Sequence, residues 1–249
     1  MKKSFILGLP GRIPNSAWQA TADLFSKVGQ NTGNLAYQSA IANHLGGRVR
    51  VLPWGAGPRE TGEAGAIGVI PAANQFGPHV DYSKLSERFS LLECRLVMIG
   101  LGAQSPTIGD IPVVPEGTVS WVQEIAKRGK KGVPNIAVRG NFSRKVLDHY
   151  GFGDAAITLG CPSLFMNPDR GLGETIAGNV RTIKRIAVAA GLPNRPHLRN
   201  IEASLVRMVT ATDGSYVGQH SLQMMQLTRG EASSMTKGDL RACRDMAAP

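Results

Sequence analysis

An arginine stands where a buried strand hands over to a helix. In NIAVRGNFSRKVLDHYGF (Asn135–Phe152), Arg139 follows the apolar run Ile136–Val138 and precedes Gly140, Asn141 and Ser143. A guanidinium at such a joint can grip a carboxylate or a phosphate through two parallel hydrogen bonds, and Ser143, near the start of the helix, would face the same crevice. The structural alternative is an ion pair with Asp148 or Asp154. Other stretches end in the same kind of chemistry. VIPAANQFG closes on Asn74 and Gln75, VMIGLGAQSP on Gly100, Gly102, Gln104 and Ser105, and LGCPSLFMNP on Pro162 and Ser163. In open α/β sheets ligands collect outside the carboxyl ends of the strands, which makes polar side chains there candidates for binding; ordinary turn chemistry is the competing account.

GQNTGNLAY adds a turn of Asn31, Gly33 and Asn34 ahead of an amphipathic helix. Backbone N–H groups at a helix start can hold an anion, although Asn31 or Thr32 as a cap and Gly33 as a tight turn explain the same residues. Among the histidines, His79 follows the Asn74 strand end and is a candidate general acid or base. His44 and His149 fall on helices without a paired carboxylate. The sequence has no G-x-G-x-x-G led by a strand, no G-x-x-x-x-G-K-[ST], no H-E-x-x-H and no G-x-S-x-G. Cys94, Cys161 and Cys243 are far apart and odd in number, so neither a disulfide framework nor a metal site is expected.

These residues need a sheet to position them. Apolar runs bounded by Gly, Pro or Asn (SFILGL, RVRVLP, AIGVIPAA, RLVMIGLG, NIAVRG, AAITLG and RIAVAAG) alternate with helical periodicity at Asn34–Leu45, Lys84–Cys94, Thr118–Lys127 and Ser143–Tyr150, the last stopped by Gly151. Such alternation predicts an α/β protein with a largely parallel sheet. Near residue 170 the Gly-rich polar crossing NPDRGLGETIAGNVRTIK suggests a boundary, giving a lobe over 1–172 and the start of a second lobe, or a helical tail, over 173–249. Residues 200–234 read as two helices broken at Asp213 and Gly214. One strand with two or three helices does not close a parallel-sheet domain, so the second lobe is expected to be incomplete.

Composition narrows the partners. The 249 residues are 42% hydrophobic and carry a net charge of +10, with 10 Lys and Arg against 9 Asp and Glu up to Ile125 and 18 against 9 beyond it. That surplus suits an anionic partner. The densest run, KRGKK (Lys127–Lys131), falls at a helix end where cations suit the dipole, and without a basic stripe interleaved with aromatics nucleic acid is not expected. The start, MKKSFILGLPGRIP, imitates a signal peptide, but Pro10 and Gly11 cut its apolar run early. No apolar stretch reaches the roughly 18 residues of a membrane span, and a cytoplasmic location is the expectation.

Taken together, NTGNLAYQSAI, VIPAANQFG, IGLGAQS, IAVRGNFSRKVLDHYGF and LGCPSLFMNP resemble, in this order and spacing, the polysaccharide pyruvyl transferase family. The similarity covers residues 25–170, continues more weakly through GSYVGQHSLQMMQLTRGE, and is most specific at VRGNFS. The resemblance implies two Rossmann-like lobes in a GT-B-like arrangement and transfer of a pyruvyl group from phosphoenolpyruvate to a saccharide acceptor of a surface polysaccharide or exopolysaccharide, as a ketal, with release of phosphate. Arg139 matches the position of the family's arginine; with His79 it is the expected catalytic residue, the expected substrate contacts are Asn31, Gly33, Asn34, Asn74, Gln104, Ser143 and Ser163, and no cofactor is expected beyond that donor. The family's later Arg-x-His element has no counterpart after residue 170, and His197 and His220 lack its setting, so the chain is either shortened or divergent. The alternatives are a GT-B-type glycosyltransferase using a nucleotide-sugar and a non-catalytic lobe that binds glycan or anion.

Overall fold

The computed structural model describes residues 3–9, 11–46, 49–107, 109–179, 185–190 and 198–231; His197, Cys243 and the terminal RACRDMAAP lie outside them. The chain divides into two compact units, Met1–Arg12 with Leu35–Pro168, and Ile13–Asn34 with Asp169–Pro249. The division at Pro168 falls close to the change of texture near residue 170. The excursion Ile13–Asn34, which the sequence reading left in the first lobe, groups with the second unit.

The first unit is a Rossmann-like α/β sheet of six parallel strands: β1 (Ser4–Leu7), β2 (Arg50–Leu52), β3 (Ile67–Pro71), β4 (Arg95–Leu101), β5 (Ile136–Val138) and β6 (Ala156–Thr158). Their spatial order is β2-β1-β3-β4-β5-β6. Parallel neighbours cannot be joined by a tight turn, so each connection carries a helix. Between β1 and β2 run α1 (Thr21–Lys27) and α2 (Gly33–His44); α3 (Pro58–Ala64), α4 (Ser83–Ser90), α5 (Glu116–Lys127) and α6 (Asn141–His149) follow β2, β3, β4 and β5 in turn. The chain steps outward from β1 to β2 and then back past β1 to β3. With right-handed crossovers this puts the helix of the outward step on one face and the others on the opposite face.

Packing follows that division. Phe5, Leu7, Ile70, Leu96, Met98, Ile136 and Val138 bury against Phe89 of α4, Trp121 and Ile125 of α5 and Val146 of α6. On the other face Tyr37 and Ile41 of α2 pack on Val69, with Ile67 and Ile99 at their edge. Trp121, fully buried, centres the first face, its ring 4.7 Å from Tyr82 and 6.1 Å from both Trp54 and Phe89. As expected, α6 stops before Gly151, which adopts φ +82°, a left-handed turn that costs glycine little.

The second unit holds α7 (Leu172–Gly178), β7 (Ala187–Ala190), α8 (Arg199–Ala211), β8 (Ser215–Gly218) and α9 (Leu222–Thr228), with β7 and β8 paired in parallel. The two helices expected over 200–234 are α8 and α9, and the break falls at Asp213, which at φ 47° ends α8 in a left-handed turn; the correction is that SYVG then extends as β8. Four residues are too few for a periodicity to separate strand from helix. The helix α7 likewise lies inside the stretch read as a polar crossing, and α1 and α3, seven residues each, were not anticipated. Arg229, just beyond α9, donates to the carbonyl oxygens of Ser16 at 3.1 Å and Gln19 at 2.8 Å, and Thr21 bonds Glu231, which joins α1 to this unit.

Part of the basic run is structural. Arg128, capping α5, donates to Leu92 O, Ser90 O and Glu124 O, each at 2.8 Å, and to Glu124 Oε2 at 2.7 Å. Its guanidinium, with a smaller contribution from Lys127, holds the Glu124 carboxyl below the usual carboxylate range. A depressed acid contributes stability above its ordinary pKa and loses it as pH falls through the lowered folded value. Glu124→Gln is therefore expected to cost about 1 kcal/mol near pH 7. Denaturant titrations should show that gap closing as the pH is lowered toward 3.

Candidate functional site

The site grows from an irregularity in β4. In its register with β5, Ile99 faces Ala137 but Leu101 faces Val138, so Gly100 is an extra residue. Leu96 and Met98 enter the larger core, and the bulge brings Leu101 there too, where strict alternation would have turned it away. Gly100 takes φ +89°, and a Cβ on it would lie 2.9 Å from the Pro162 ring and 3.0 Å from Ala72 O. Glycine is required both by the backbone and by the space. Its carbonyl, released from the regular ladder, accepts from Arg139 Nε at 2.8 Å.

Because Ile136 and Val138 enter the larger core, Ala137 and Arg139 turn to the face covered by α2. Arg139 crosses the carboxyl edge of β4 there. Nη1 donates to Asn74 Oδ1 at 3.3 Å and Nη2 to Ala72 O at 3.4 Å, both just beyond β3. The guanidinium lies 5.6 Å from the centre of the Tyr37 ring, within cation–π reach. All three acceptors are neutral. The expected alternative, a pair with Asp148 or Asp154, is not formed; Asp148 instead binds Arg144 Nε at 3.0 Å. Among the described residues no carboxylate pairs with Arg139, and two of its five N–H groups are left over from these bonds.

Asn74 joins the two candidate catalytic residues. Its side chain accepts from Arg139, and its carbonyl accepts from His79 Nε2 at 2.9 Å. A carbonyl can only accept, so the Nε2 proton is placed and Nδ1 of exposed His79 is the ring nitrogen left over from this bond. Gly102 makes room for this arrangement, because a Cβ there would approach Asn74 Oδ1 to 2.7 Å. The β3 and β4 ends are zipped together by Gly102 N–Ala73 O at 2.8 Å, Phe76 N–Gly102 O at 3.2 Å and Gln104 N–Phe76 O at 3.0 Å. Exposed Gln104 is thus carried on a fixed loop beside Gly77.

Other expected residues have local duties. Ser143 is buried, and its Oγ accepts from Ala103 N at 2.9 Å, tying the loop after β4 to the first turn of α6. Ser163 lies 3.1 Å from Cys161 Sγ in the one-turn segment after β6. Asn31, Gly33 and Asn34 belong to the second unit. There Asn31 Oδ1 accepts from Gly33 N at 2.9 Å, Asn34 Nδ2 donates to Val28 O at 2.8 Å, and Thr32 N donates to Gln219 O at 3.0 Å beyond β8. These side chains are thus engaged in local turn contacts within the second unit.

The sequence reading missed Tyr37, whose burial places it under Arg139. Burial raises its phenol pKa, opposed by Gln38 and by the Arg139 charge, which keeps a neutral ring face on the cation. The signal was present only as an aromatic inside the helix that follows the Asn-Gly turn. Among the described residues no cluster of three His, Cys, Asp or Glu could hold a metal ion, and no helix is long and apolar enough to cross a membrane.

Gly102→Ala should push the flexible Asn74 side chain off Arg139 with a stability loss of about 1 kcal/mol or less. Gly100→Ala is expected to cost more, roughly 1–3 kcal/mol, through its positive φ and its contacts with Pro162. Denaturant titrations of the two variants beside the wild type check both magnitudes.

No protein-family model, no curated protein and no solved structure matches the chain.

Proposed function

We propose that this chain is a polysaccharide pyruvyl transferase-like protein, which takes a pyruvyl group from phosphoenolpyruvate and places it as a ketal on sugar hydroxyls of a surface polysaccharide or exopolysaccharide. The observation that supports this most is Arg139: a cation fixed at three adjacent strand ends by neutral oxygens, without a carboxylate partner among the described residues. Phosphoenolpyruvate carries a carboxylate and a phosphate, and either can occupy the guanidinium N–H groups left over.

The chemistry requires proton transfer beside that grip. Protonation of the donor's methylene carbon makes the neighbouring carbon electrophilic; a sugar hydroxyl adds there and gives up its proton. Phosphate then leaves, and a second hydroxyl closes the ketal, so that one phosphoenolpyruvate and a diol give one ketal and one phosphate. His79, held through Nε2 on the carbonyl of the same Asn74 that binds Arg139, offers Nδ1 as the acid and base for these steps. Tyr37 and Asn74 hold the guanidinium in one orientation, which saves ordering cost when the donor binds.

Thermal-shift titration with phosphoenolpyruvate, UDP-sugars and inorganic phosphate tests the donor. Phosphoenolpyruvate should give the largest shift, and Arg139→Ala should weaken its binding roughly 10- to 100-fold, the loss of charge-assisted hydrogen bonds. A larger shift with UDP-sugars would turn the reading to a nucleotide-sugar glycosyltransferase. Phosphate released only when a β-galactoside acceptor is present would establish transfer, whereas binding without release would leave an anion-binding lobe.

A further inference from the structure

Beside the arginine lies a groove that the proposed reaction does not use. It encloses about 260 Å³ and is walled by Ile41, Leu45, Ile99, Leu159 and Phe165, with Pro162 at one end. Its far wall is fixed, since His44 Nε2 donates to Phe165 O at 2.8 Å and the two rings meet edge to face at 6.4 Å. Leu159 and Phe165 are 55% and 49% exposed, a large apolar surface to leave in water.

The groove adjoins the anion grip through Ile99 and Pro162. Ile99 precedes Gly100, whose carbonyl holds Arg139 Nε, and Pro162 packs where a Gly100 side chain would stand. Along α2, Tyr37 stacks on the guanidinium while Ile41 and Leu45, one and two turns on, line the groove. A cation therefore stands at one end of an apolar trough on a single sheet face.

We infer that the site takes a free, single-chain anionic amphiphile, its phosphate or carboxylate on Arg139 and its apolar arm along Ile41, Leu45, Leu159 and Phe165. At roughly 30 Å³ for each water-sized group, the volume holds on the order of eight such groups, a short chain and not a bilayer lipid. This rests on the anion grip of the proposed function but not on the identity of the group transferred.

Hexyl phosphate, inorganic phosphate and hexanol are the probes, titrated by calorimetry against the full chain. With about fourfold in affinity for each methylene buried, hexyl phosphate should bind at least 30-fold tighter than phosphate, and hexanol should not bind measurably. Leu159→Ser and Phe165→Ser, at half-exposed positions, should each remove most of that increment and leave phosphate affinity unchanged; Arg139→Ala should weaken both anions. If hexyl phosphate binds no tighter than phosphate, or its gain survives both serine variants, the groove assignment falls while the anion grip stands. Failure of both anions to bind overturns the grip itself, and hexanol binding as well as hexyl phosphate overturns the coupling. Phosphatidylglycerol vesicles that sediment with the wild type but not with Leu159→Ser would replace the free ligand by a lipid surface, against the inference.

Discussion

The bond from Arg139 Nε to the carbonyl of Gly100 holds the site together, and it exists because β4 contains one residue too many. A regular strand would commit that carbonyl to its neighbour. The bulge frees it, aims it at the end of β5, and returns Leu101 to the core so that packing is not lost. The glycine at 100 lets Pro162 close over it, the glycine at 102 admits Asn74, and the loops after β3 and β4 lock together around both. One extra residue in one strand thus organises three strand ends.

The surroundings of this arginine set it apart from others in the chain. Arg59, Arg128, Arg144 and Arg229 each meet a carboxylate, at Glu63, Glu124, Asp148 and Glu231. Those pairs lie within four residues in sequence and stabilise helices or caps. Arg139 is instead held by two main-chain carbonyls, an amide oxygen and a tyrosine ring, which orient the charge without cancelling it. A half-buried cation oriented in this way is preorganised for an anion, because the ordering cost has already been met on folding. The apolar trough beside it gives the same site a second, non-electrostatic means of discrimination.

The strands were legible because each is a short apolar run between breakers, and the seven that were expected are present, with α2, α4, α5 and α6 at the expected places. The polar residues at the ends of β3, β4 and β5 could be assigned to one edge of the sheet for the same reason. β8 was not legible: SYVG is too short for a period of two to stand out from a helical stretch, and its pairing with β7 is long-range. Nor could a linear reading separate Asn31, Gly33 and Asn34 from the other candidates, since a capping turn and an anion-binding turn use the same residues.

By itself the sequence determined the class of fold, the crossing of strand into helix at Arg139, and the glycine and asparagine types that such a joint needs, because these depend on local backbone preference and hydrophobic period. Tertiary structure decided what no local rule contains. It paired Asp148 with Arg144 and left Arg139 for another partner, brought Tyr37 across more than a hundred residues beneath its guanidinium, and set Asn74 between Arg139 and His79. Those contacts depend on which strands lie side by side and on a one-residue slip in register, and a chain read in order shows neither.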